Sequence, residues 1–213
     1  MNGRVSKIVS EIPRVTVFAD IGCDHGYASL YMLKSGKCDK VIFSDISEKC
    51  LDKARSLLSE YILNGQAEGI VSDGFNQLPK VDLALIAGMG GEEIVKIFSN
   101  ANSLPNALVI QPMKNPEKVR EYLVNNGYKI VKDYTFKSQK KYYDLIRAER
   151  GEDKYLLEEL EFGRDNLRLK PKDFTEMIEK EIAKLLDYSK RDMSEEKRAE
   201  ILGRAERLKS ICL

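Results

Sequence analysis

The feature that most constrains the fold is an alternation of short apolar runs with segments of helical character over the first 150 residues. The runs Val15–Ile21, Val81–Ala87 and Ala107–Gln111 are almost wholly apolar. Such runs predict strands that are buried on both faces, as in a parallel sheet. Because helical segments separate them, we expect an α/β fold with a mostly parallel, twisted sheet covered by helices on both sides.

The last two predicted strands differ from the others because only a short loop separates them. Tyr128–Phe136 and Tyr142–Glu149 are joined by Lys137–Lys141, which indicates an antiparallel hairpin at one edge of the sheet. The other expected elements are strands at Val41–Phe43 and Gly69–Val71, and helices at Gly26–Ser35, Glu48–Leu63, Gly91–Asn100 and Pro116–Asn126.

The composition changes after Gly151. Residues 152–213 contain 14 basic and 16 acidic residues, and charge of this density mostly indicates a solvated helix surface. We therefore expect two or three amphipathic helices, arranged as a helical hairpin or coiled coil. The predicted organisation is an α/β domain at 1–151 and a helical domain at 152–213. The apolar positions at helical spacing are Ile178, Ile182, Leu185, Ile201, Leu208 and Ile211.

Composition also excludes several classes of protein. The net charge of +1 excludes a strongly basic protein that coats nucleic acid, although it permits a local basic patch. The four cysteines lack C-x-x-C spacing and His25 is the single histidine, so no metal site is expected. No apolar run approaches the roughly 18 residues of a membrane span, and the N-terminus lacks the apolar core of a signal peptide. We expect a cytoplasmic monomer without membrane contact.

The strongest functional signal is the loop between the first strand and the first helix, DIGCDHG at residues 20–26. Its glycines allow a sharp turn and a close approach of a ligand to the backbone. The G-x-G-x-x-G of dinucleotide-binding proteins is absent, which disfavours a nicotinamide dehydrogenase. The loop resembles the acid-x-G-x-G-x-G loop of class I S-adenosylmethionine methyltransferases, with Asp24 in place of the middle glycine.

Two more acids end predicted strands. Asp45 follows the second strand, where a carboxylate can accept hydrogen bonds from both hydroxyls of a ribose. Asp73 and Gly74 follow the third strand, where adenine-contacting residues usually lie in this fold. With Asp20, the three acids are expected to line one crevice at the carboxyl edge of the sheet.

The segment Ala87–Gly91 follows the fourth strand, from which such enzymes address the methyl acceptor. It lacks the D/N/S-P-P-aromatic tetrad of exocyclic amino methyltransferases. No cysteine is well placed for pyrimidine-C5 methylation, which needs a thiol nucleophile. The glycines could alternatively serve only the packing of strand against helix.

The motifs DIGCDHGYAS, FSDIS, VSDGF, LIAGMGGEEI and VIQPMKNPEKVREYLVNNGYKIV occur in this order. With RVSKIVSEIP, YYDLIRAERG and LLEELEFG, they resemble the bacterial tRNA (adenine-22-N1)-methyltransferase family over essentially the whole chain. The resemblance implies a Rossmann-like catalytic domain, a C-terminal coiled coil, S-adenosyl-L-methionine as cofactor and tRNA as substrate. It also implies methyl transfer to N1 of adenine 22 in the D-arm. The chain departs from the family pattern at Cys23, Gly26 and Ser29, and none of these departures is expected to touch the acids.

The resemblance further implies roles for individual residues. Those expected to bind the cofactor are Asp20, Ile21, Gly22, Asp24, His25, Gly26, Asp45, Ile46, Asp73, Gly74, Ala87 and Gly88. Those expected at the reacting atoms are Asp24, His25, Gly88, Met89, Gly90 and Gln111.

RNA contact is expected where basic residues cluster. Residues 114–150 contain ten basic and five acidic residues, in contrast to the nearly neutral whole. Lysines next to tyrosines suit contact with phosphates and bases, although an ordinary solvated hairpin has the same composition. The expected RNA-binding residues are Lys114, Lys118, Lys137, Lys140, Lys141 and Tyr142.

Several assignments have plainer structural alternatives. His25 could cap the helix or bond to the backbone, and Tyr27 could stack on a base or pack against the sheet. Gln111 and Asn115 could bond to adenine, or serve as a turn and a cap. A methyltransferase acting on another RNA, a protein or a small molecule also fits the sequence. So does a cofactor-binding protein without catalysis, because fold does not fix function.

Overall fold

A computed structural model describes residues 3–212; the predicted domain limits at Met1 and Leu213 lie outside them. The strands are β1 Val15–Ile21, β2 Cys38–Asp45, β3 Ala67–Val71, β4 Leu83–Ala87, β5 Ala107–Gln111, β6 Tyr128–Ser138 and β7 Lys141–Arg150. The helices are α1 Gly3–Ser10, α2 Tyr27–Lys34, α3 Glu48–Leu57, α4 Ser59–Leu63, α5 Gly91–Ser99, α6 Pro116–Asn125, α7 Leu157–Phe162, α8 Arg164–Leu169, α9 Lys172–Tyr188 and α10 Glu195–Cys212.

The strands form one seven-stranded sheet in the order β3-β2-β1-β4-β5-β7-β6. Strands β1 to β5 are parallel, and β7 runs antiparallel to both β5 and β6. The predicted Rossmann-like α/β fold with an antiparallel edge hairpin is therefore confirmed. No helix within residues 3–212 is long and apolar enough to cross a membrane.

Two layers of helices cover the sheet because successive strand residues point to opposite faces. Leu85 packs in one cluster with the buried apolar side chains of α1, α2 and α3. Ile86 packs in a second cluster with the buried apolar side chains of α5 and α6. This two-sided burial explains why the central strands are nearly continuous apolar runs.

Helix α1 was not among the elements predicted from the sequence. The helix buries Ile8 and Val9 completely, and Ile12 just beyond its end is also buried. Together with Val5, these residues follow the i, i+3, i+4, i+7 spacing of an amphipathic helix. The signal was therefore present in the N-terminal segment.

Other differences concern the limits of elements. The single helix expected at Glu48–Leu63 is interrupted at Leu58, although hydrogen bonds to Ala54 and from Ile62 continue across the junction. The expected five-residue loop at Lys137–Lys141 is a tight turn, because β6 and β7 pair as far as Ser138 and Lys141. Gln139 has φ of +57° in this turn.

The described residues after Gly151 form four helices, where two or three were expected. Helices α9 and α10 pack against each other, and α7 and α8 contact α6 and β6 respectively. A small core joins them, formed by Phe162, Phe174, Ile178, Leu208 and Ile211. The predicted apolar spacing thus identified part of this core.

The outer edge of β6 is covered by side chains that follow Gly151. Backbone N–H groups at a sheet edge would otherwise lack partners. The bonds run from the backbone N–H of Ile130 to Asp153 (3.0 Å), of Asp133 to Asp165 (3.0 Å), of Thr135 to Asn166 (2.9 Å) and of Lys137 to Asp173 (2.8 Å).

The buried guanidinium of Arg120 joins α6 to this edge. Its Nε donates to both carboxylate oxygens of Asp133 (3.0 and 2.9 Å), and Nη2 donates to Asp144 (2.9 Å). Nη1 donates to the backbone carbonyl of Leu160 in α7 (3.0 Å). The side chains of Arg120 and Asp133 are 0% and 1% exposed, so each charge depends on the other.

Arg120→Met is expected to lower the free energy of unfolding by about 3–5 kcal/mol, because it leaves a buried carboxylate without its cation. Urea unfolding at pH 7 measures this loss. Arg55→Met is the matched control, since Arg55 forms exposed ion pairs with Glu48 and Asp52. Equal effects of the two substitutions would contradict the importance of the buried pair.

Candidate active site

The strand order reverses between β1 and β4, and the candidate site lies at this reversal. Strands β2 and β3 continue the sheet on one side of β1, whereas β4 and β5 continue it on the other. In open α/β sheets, ligands bind beyond the carboxyl ends of the strands at such a point. Two neighbouring cavities lie there.

The Asp45 cavity has a volume of about 300 Å³, and the His25 cavity has a volume of about 480 Å³. The methyl group of Met89 lies so close to Gly22 that a Cβ built on Gly22 would overlap with it. This contact between Gly22 and Met89 lies between the two cavities. Predicted site residues in the Asp45 cavity are Ile21, Gly22, Asp45, Ile46, Asp73, Gly74 and Met89. Those in the His25 cavity are Asp20, Gly22, Asp24, His25, Ala87, Gly88 and Met89.

The loop after β1 turns because alternate residues adopt the left-handed conformation. The φ angle is +67° at Gly22, +47° at Asp24 and +72° at Gly26. Aspartate tolerates this region better than most residues, which explains how Asp24 replaces the middle glycine of the motif. The backbone N–H of Asp24 donates to Asp45 (3.2 Å) and ties the loop to β2. Gly26 is the N-cap residue of α2, lies against Ala54 and does not line either cavity.

Asp45 has the geometry of a ribose-binding carboxylate. Its Oδ1 accepts from the backbone N–H of Ser47 (2.9 Å), and its Oδ2 accepts from that of Asp24. A carboxylate has about four acceptor positions, so both oxygens can also accept from the hydroxyls of a ribose. The neighbouring Ile46 is 70% exposed, which offers an apolar contact, and Asp73 offers a carboxylate. The residues of this cavity therefore fit an adenosine group.

Asp20 lies in the other cavity, so the three acids do not line one continuous crevice. Its Oδ2 accepts from the hydroxyl (2.7 Å) and the backbone N–H (3.2 Å) of Ser29. The departure at Ser29 therefore does touch an acid, contrary to expectation. Burial raises the pKa of Asp20 to about 6, although the hydrogen bonds from Ser29 oppose this shift.

The mouth of the His25 cavity carries an aromatic pair. The rings of His25 and Tyr27 stack with centroids 5.7 Å apart. Tyr27 is 53% exposed, so it does not pack against the sheet. Asp24 lies beside the pair, with its carboxylate 3.7 Å from His25 Nε2. This arrangement presents a flat surface and a carboxylate to a planar ligand.

Cys23 also lines the His25 cavity but is unsuited to nucleophilic catalysis. Burial, with a contribution from Asp20, raises the pKa of its thiol above the ordinary value. The thiolate is the nucleophilic form, and its formation is therefore disfavoured. Within residues 3–212, no group of three or more His, Cys, Asp or Glu side chains could hold a metal ion.

The glycines after β4 have different roles. Gly88 lines the His25 cavity with φ of +93°. A Cβ on Gly91 would overlap with the backbone carbonyl of Asn115, so this glycine allows α5 to pack closely. Gly90 precedes α5 under the side chain of Lys114 and does not line either cavity. In this segment Gly88 thus helps to form the cavity, whereas Gly91 serves the packing of α5.

Gln111 is buried and does not line the His25 cavity. Its Nε2 donates to the backbone carbonyl of Pro112 (2.7 Å), and its Oε1 accepts from Arg4 Nη1 (2.7 Å). Arg4 was not identified from the sequence, yet it lines this cavity. If α1 had been predicted, Arg4 could have been recognised as a basic residue on the side of the helix that faces the cavity.

The predicted RNA-binding residues separate into two groups. Lys118 pairs with Glu92, and Lys137 pairs with Glu176 (2.6 Å). Tyr142 accepts from Lys180 (2.8 Å). Hydrogen bonds from Lys137 and Lys180 hold the pKa of Glu176 at about 2, so these residues fasten α9 to the hairpin. The other group is exposed: Lys114 lies beside Gly90, and Lys140 and Lys141 lie at the hairpin turn.

Asp20→Asn is expected to stabilise the protein at neutral pH, because the substitution removes a buried charge. The pKa of Asp20 is raised from 3.8 to about 6 on folding. The cost of ionising it is therefore absent below pH 3.8 and complete above pH 6. The stability of the variant relative to the wild type should rise by about 2 kcal/mol between pH 4 and pH 7.

Urea unfolding across this pH range provides the measurement. Asp39→Asn is the control, since Asp39 pairs with Arg14 at the surface. A stability difference for Asp20→Asn that stays constant with pH would contradict the raised pKa.

The chain is similar to known methyltransferases. A model of the methyltransferase domain family, Methyltransf_18, matches residues 1–146. A provisionally named tRNA methyltransferase of Mycoplasma genitalium is 31% identical over 156 residues, which cover 70% of each chain. The tRNA (adenine(22)-N(1))-methyltransferase of Bacillus subtilis is 27% identical over 157 residues, which cover 71% of this chain and 66% of that protein.

A solved structure extends the likeness to the whole chain. A Streptococcus pneumoniae protein crystallised with S-adenosyl-L-methionine has a TM-score of 0.88 and 21% identity, with complete coverage of both chains. The Asp45 cavity of this chain fits the adenosine group of such a ligand. The chain belongs to the methyltransferase domain family, in one family with the tRNA methyltransferase of Mycoplasma genitalium.

Proposed function

We propose that the protein transfers a methyl group from S-adenosyl-L-methionine to N1 of adenine 22 in the D-arm of tRNA. The observation that carries this proposal is the similarity to the Bacillus subtilis enzyme of that name. Two cavities that adjoin at Gly22 support it, because the reaction brings two ligands together at one point. The aromatic mouth of the larger cavity suits a nucleobase.

The cofactor would span both cavities. Its ribose would bond to Asp45, and its adenine would lie between Ile46 and Asp73. Its amino-acid end would extend past Gly22 towards Gly88. When bound, S-adenosyl-L-methionine supplies an electrophilic methyl group on a sulfonium that leaves as a neutral thioether.

The acceptor adenine would enter the His25 cavity through its mouth. Neutral adenine already carries a lone pair on N1, so the protein needs no general base and contributes chiefly by orientation. Tyr27 and His25 would stack on a base extruded from the folded tRNA, at a cost of a few kcal/mol. The carboxylate of Asp24 would stabilise the positive charge that develops on the ring.

The tRNA backbone would contact the turn between β6 and β7. Ile146 in β7 pairs with Ile110 in β5, and Lys141 lies five residues nearer the turn. At about 3.3 Å per residue, the turn extends about 16 Å beyond Ile110. The carboxyl ends of the parallel strands face the same way, so Lys140 and Lys141 flank the cleft.

Helices α9 and α10, within the predicted domain at 152–213, would extend this RNA surface. Helix α9 starts beside the turn, because Asp173 bonds to Lys137 and Lys180 bonds to Tyr142. The expected tRNA contacts from this region are sequence-independent bonds to phosphates.

Purified protein incubated with labelled S-adenosyl-L-methionine and unmodified tRNA is expected to form N1-methyladenosine. Digestion to nucleosides and mass spectrometry identify the product. The matched control is a transcript in which guanine replaces adenine 22, and it should remain unlabelled.

The outcomes of this experiment differ in meaning. Labelling of the guanine-22 transcript would reject the position but keep the reaction. Another methylated nucleoside would reject N1 of adenine as the acceptor. Cofactor binding without label in RNA would overturn the proposed substrate in favour of a protein, a small molecule or a non-catalytic role.

Lys140→Glu combined with Lys141→Glu is expected to weaken tRNA binding and reduce its salt dependence. Each lost phosphate contact should lower the slope of log affinity against log salt concentration by about 0.7–0.9. Filter binding at several salt concentrations measures both effects.

Lys129→Glu combined with Lys154→Glu provides the control. These lysines are exposed. Lys129 lies near the start of β6, at the opposite end of this strand from the turn. Equal losses in the two double variants would indicate general charge repulsion and contradict a specific contact at the turn.

A further inference from the structure

A row of basic side chains follows α1 along one face of the hairpin formed by β6 and β7. This basic row consists of Lys7 in α1, Lys132 in β6 and Arg147 in β7. Lys132 and Arg147 lie directly opposite each other in the paired strands. They point to the face that α1 covers, because Tyr134 and Leu145, two positions along each strand, pack in the cluster that contains the buried apolar residues of α1.

The charges of the basic row are only partly balanced. Like charges directly opposite each other on neighbouring strands destabilise a sheet. The carboxylate of Glu11 accepts hydrogen bonds from Lys7 (3.4 Å) and from Lys132. Arg147 donates to the backbone carbonyl of Glu11 at 3.5 Å, and its Nε has no hydrogen-bond partner among residues 3–212. Three cations against one carboxylate leave two positive charges in excess along the basic row.

Capping of α1 does not account for Arg147. A cation is favourable at the C-terminal end of a helix, but Lys37 already occupies this place. Its Nζ donates to the backbone carbonyls of Val9 (2.8 Å), Ser10 (3.1 Å) and Ile12 (2.6 Å). The bond from Arg147, at 3.5 Å, is longer than ordinary N–H···O hydrogen bonds. The guanidinium therefore keeps donors that the fold itself does not use.

The basic row starts at the candidate site. Helix α1 begins beside the hairpin turn, because a Cβ built on Gly3 would lie 3.6 Å from Ser138 Oγ. The next residue, Arg4, lines the His25 cavity, and its guanidinium lies 5.6 Å from the ring centroid of Tyr143 in β7. The basic row is therefore continuous with both the mouth of this cavity and the turn that carries Lys140 and Lys141.

From there the basic row runs along β7 away from the site. The four residues between Tyr143 and Arg147 span about 13 Å at 3.3 Å per residue. The row ends at Arg147, because the next residue on the same face, Glu149, lies opposite Lys129 and forms a neutral pair with it across the strands. Cations spread along such a line match a chain of anions better than a single small anion.

The helices that follow Gly151 are held on the opposite face of the hairpin. Lys137 and Tyr142 bind Glu176 and Lys180 of α9, and they point away from the basic row because successive strand residues alternate between faces. The side chains of Lys7 and Lys132 are 44% and 43% exposed. A large partner can therefore reach the basic row without contact with α9.

We infer that the basic row binds consecutive phosphates of the tRNA strand that leads away from the base in the His25 cavity. Bonds to phosphates fix the position of a nucleic acid without reading its sequence. The row would thus hold the tRNA on the α1 side of the hairpin, in addition to the contact at the turn. The inference rests on the proposed function, because it takes tRNA as the substrate.

The test is the double variant Lys132→Gln, Arg147→Gln in filter binding with unmodified tRNA. The slope of log affinity against log salt concentration should fall by about 0.7–0.9 for each lost phosphate contact. If affinity at 1 M salt is unchanged, binding by the double variant at 0.1 M salt should be about 25- to 60-fold weaker. In turnover assays, KM for tRNA should rise while kcat stays unchanged, because the basic row does not touch the reacting base.

Two further measurements separate this contact from structural effects. Calorimetry should show unchanged affinity for S-adenosylhomocysteine, since neither Lys132 nor Arg147 lines a cavity of the site. Urea unfolding should show no loss of stability, because the substitutions remove two cations that repel each other. Arg147→Lys keeps the charge and should retain most of the salt slope.

Lys40→Gln combined with Arg55→Gln is the matched control. Lys40 and Arg55 have similar exposure, 40% and 37%, and form ion pairs at the surface. They belong to β2 and α3, at the other end of the sheet from the hairpin. This double variant should bind tRNA with the affinity and salt slope of the wild type.

The results that would overturn the inference are distinct. An unchanged salt slope in the Lys132→Gln, Arg147→Gln variant, with N1-methyladenosine still formed, would reject the basic row and keep the proposed function. Equal losses in the control variant would indicate a general effect of charge. Loss of stability or of S-adenosylhomocysteine binding would indicate a structural role. Absence of tRNA binding by the wild type would reject the proposed function and the inference together.

Discussion

The antiparallel edge of the sheet depends on one buried cation. Arg120 joins α6 to Asp133 in β6, to Asp144 in β7 and to the backbone of α7. Removing a guanidinium from water is costly, and the cost is offset only because carboxylates and carbonyls surround it. These directional bonds fix the hairpin relative to the parallel strands. The position of the turn with Lys140 and Lys141 beside the cleft follows from this arrangement.

The helices that follow Gly151 complete the same edge. Side chains such as Asp165 and Asn166 accept from backbone N–H groups of β6. They thereby prevent pairing of this edge with another chain, as charged or covered edges do in other sheets. The charge density of the segment therefore has two origins. Many of its charged side chains are solvated. Several of its acids, together with Asn166, accept hydrogen bonds from backbone N–H groups of β6.

Local patterns predicted much of the fold and most of the residues that line the Asp45 cavity. The apolar runs predicted the limits of β1 and β5 correctly. A strand that is buried on both faces consists of consecutive apolar residues, and such a run is directly visible in the sequence. The acids at strand ends were found because the carboxyl ends of parallel strands share one edge. Asp24 in place of glycine was consistent with the left-handed conformation that the loop requires.

Partners chosen through tertiary contact could not be predicted in this way. No sequence pattern around Gln111 indicates that it accepts a hydrogen bond from Arg4, 107 positions away. Likewise, Lys137 and Tyr142 looked like an RNA-binding pair, but their partners lie in α9. Ser29 bonds to Asp20 only because α2 turns back over the end of β1. These choices depend on three-dimensional distance, which a periodic pattern does not contain.

The contact between Gly22 and Met89 has a consequence for the order of events. A ligand that spans both cavities must pass over Gly22, where the methyl group of Met89 now lies. Methionine has three rotatable side-chain bonds and adapts at low cost, so its displacement requires no change of the backbone. Since Met89 lines both cavities, the same rotation would change the shape of the His25 cavity as well. Two ligands that favour the same position of Met89 would therefore strengthen each other's binding, and by thermodynamic linkage the effect would be equal in both directions.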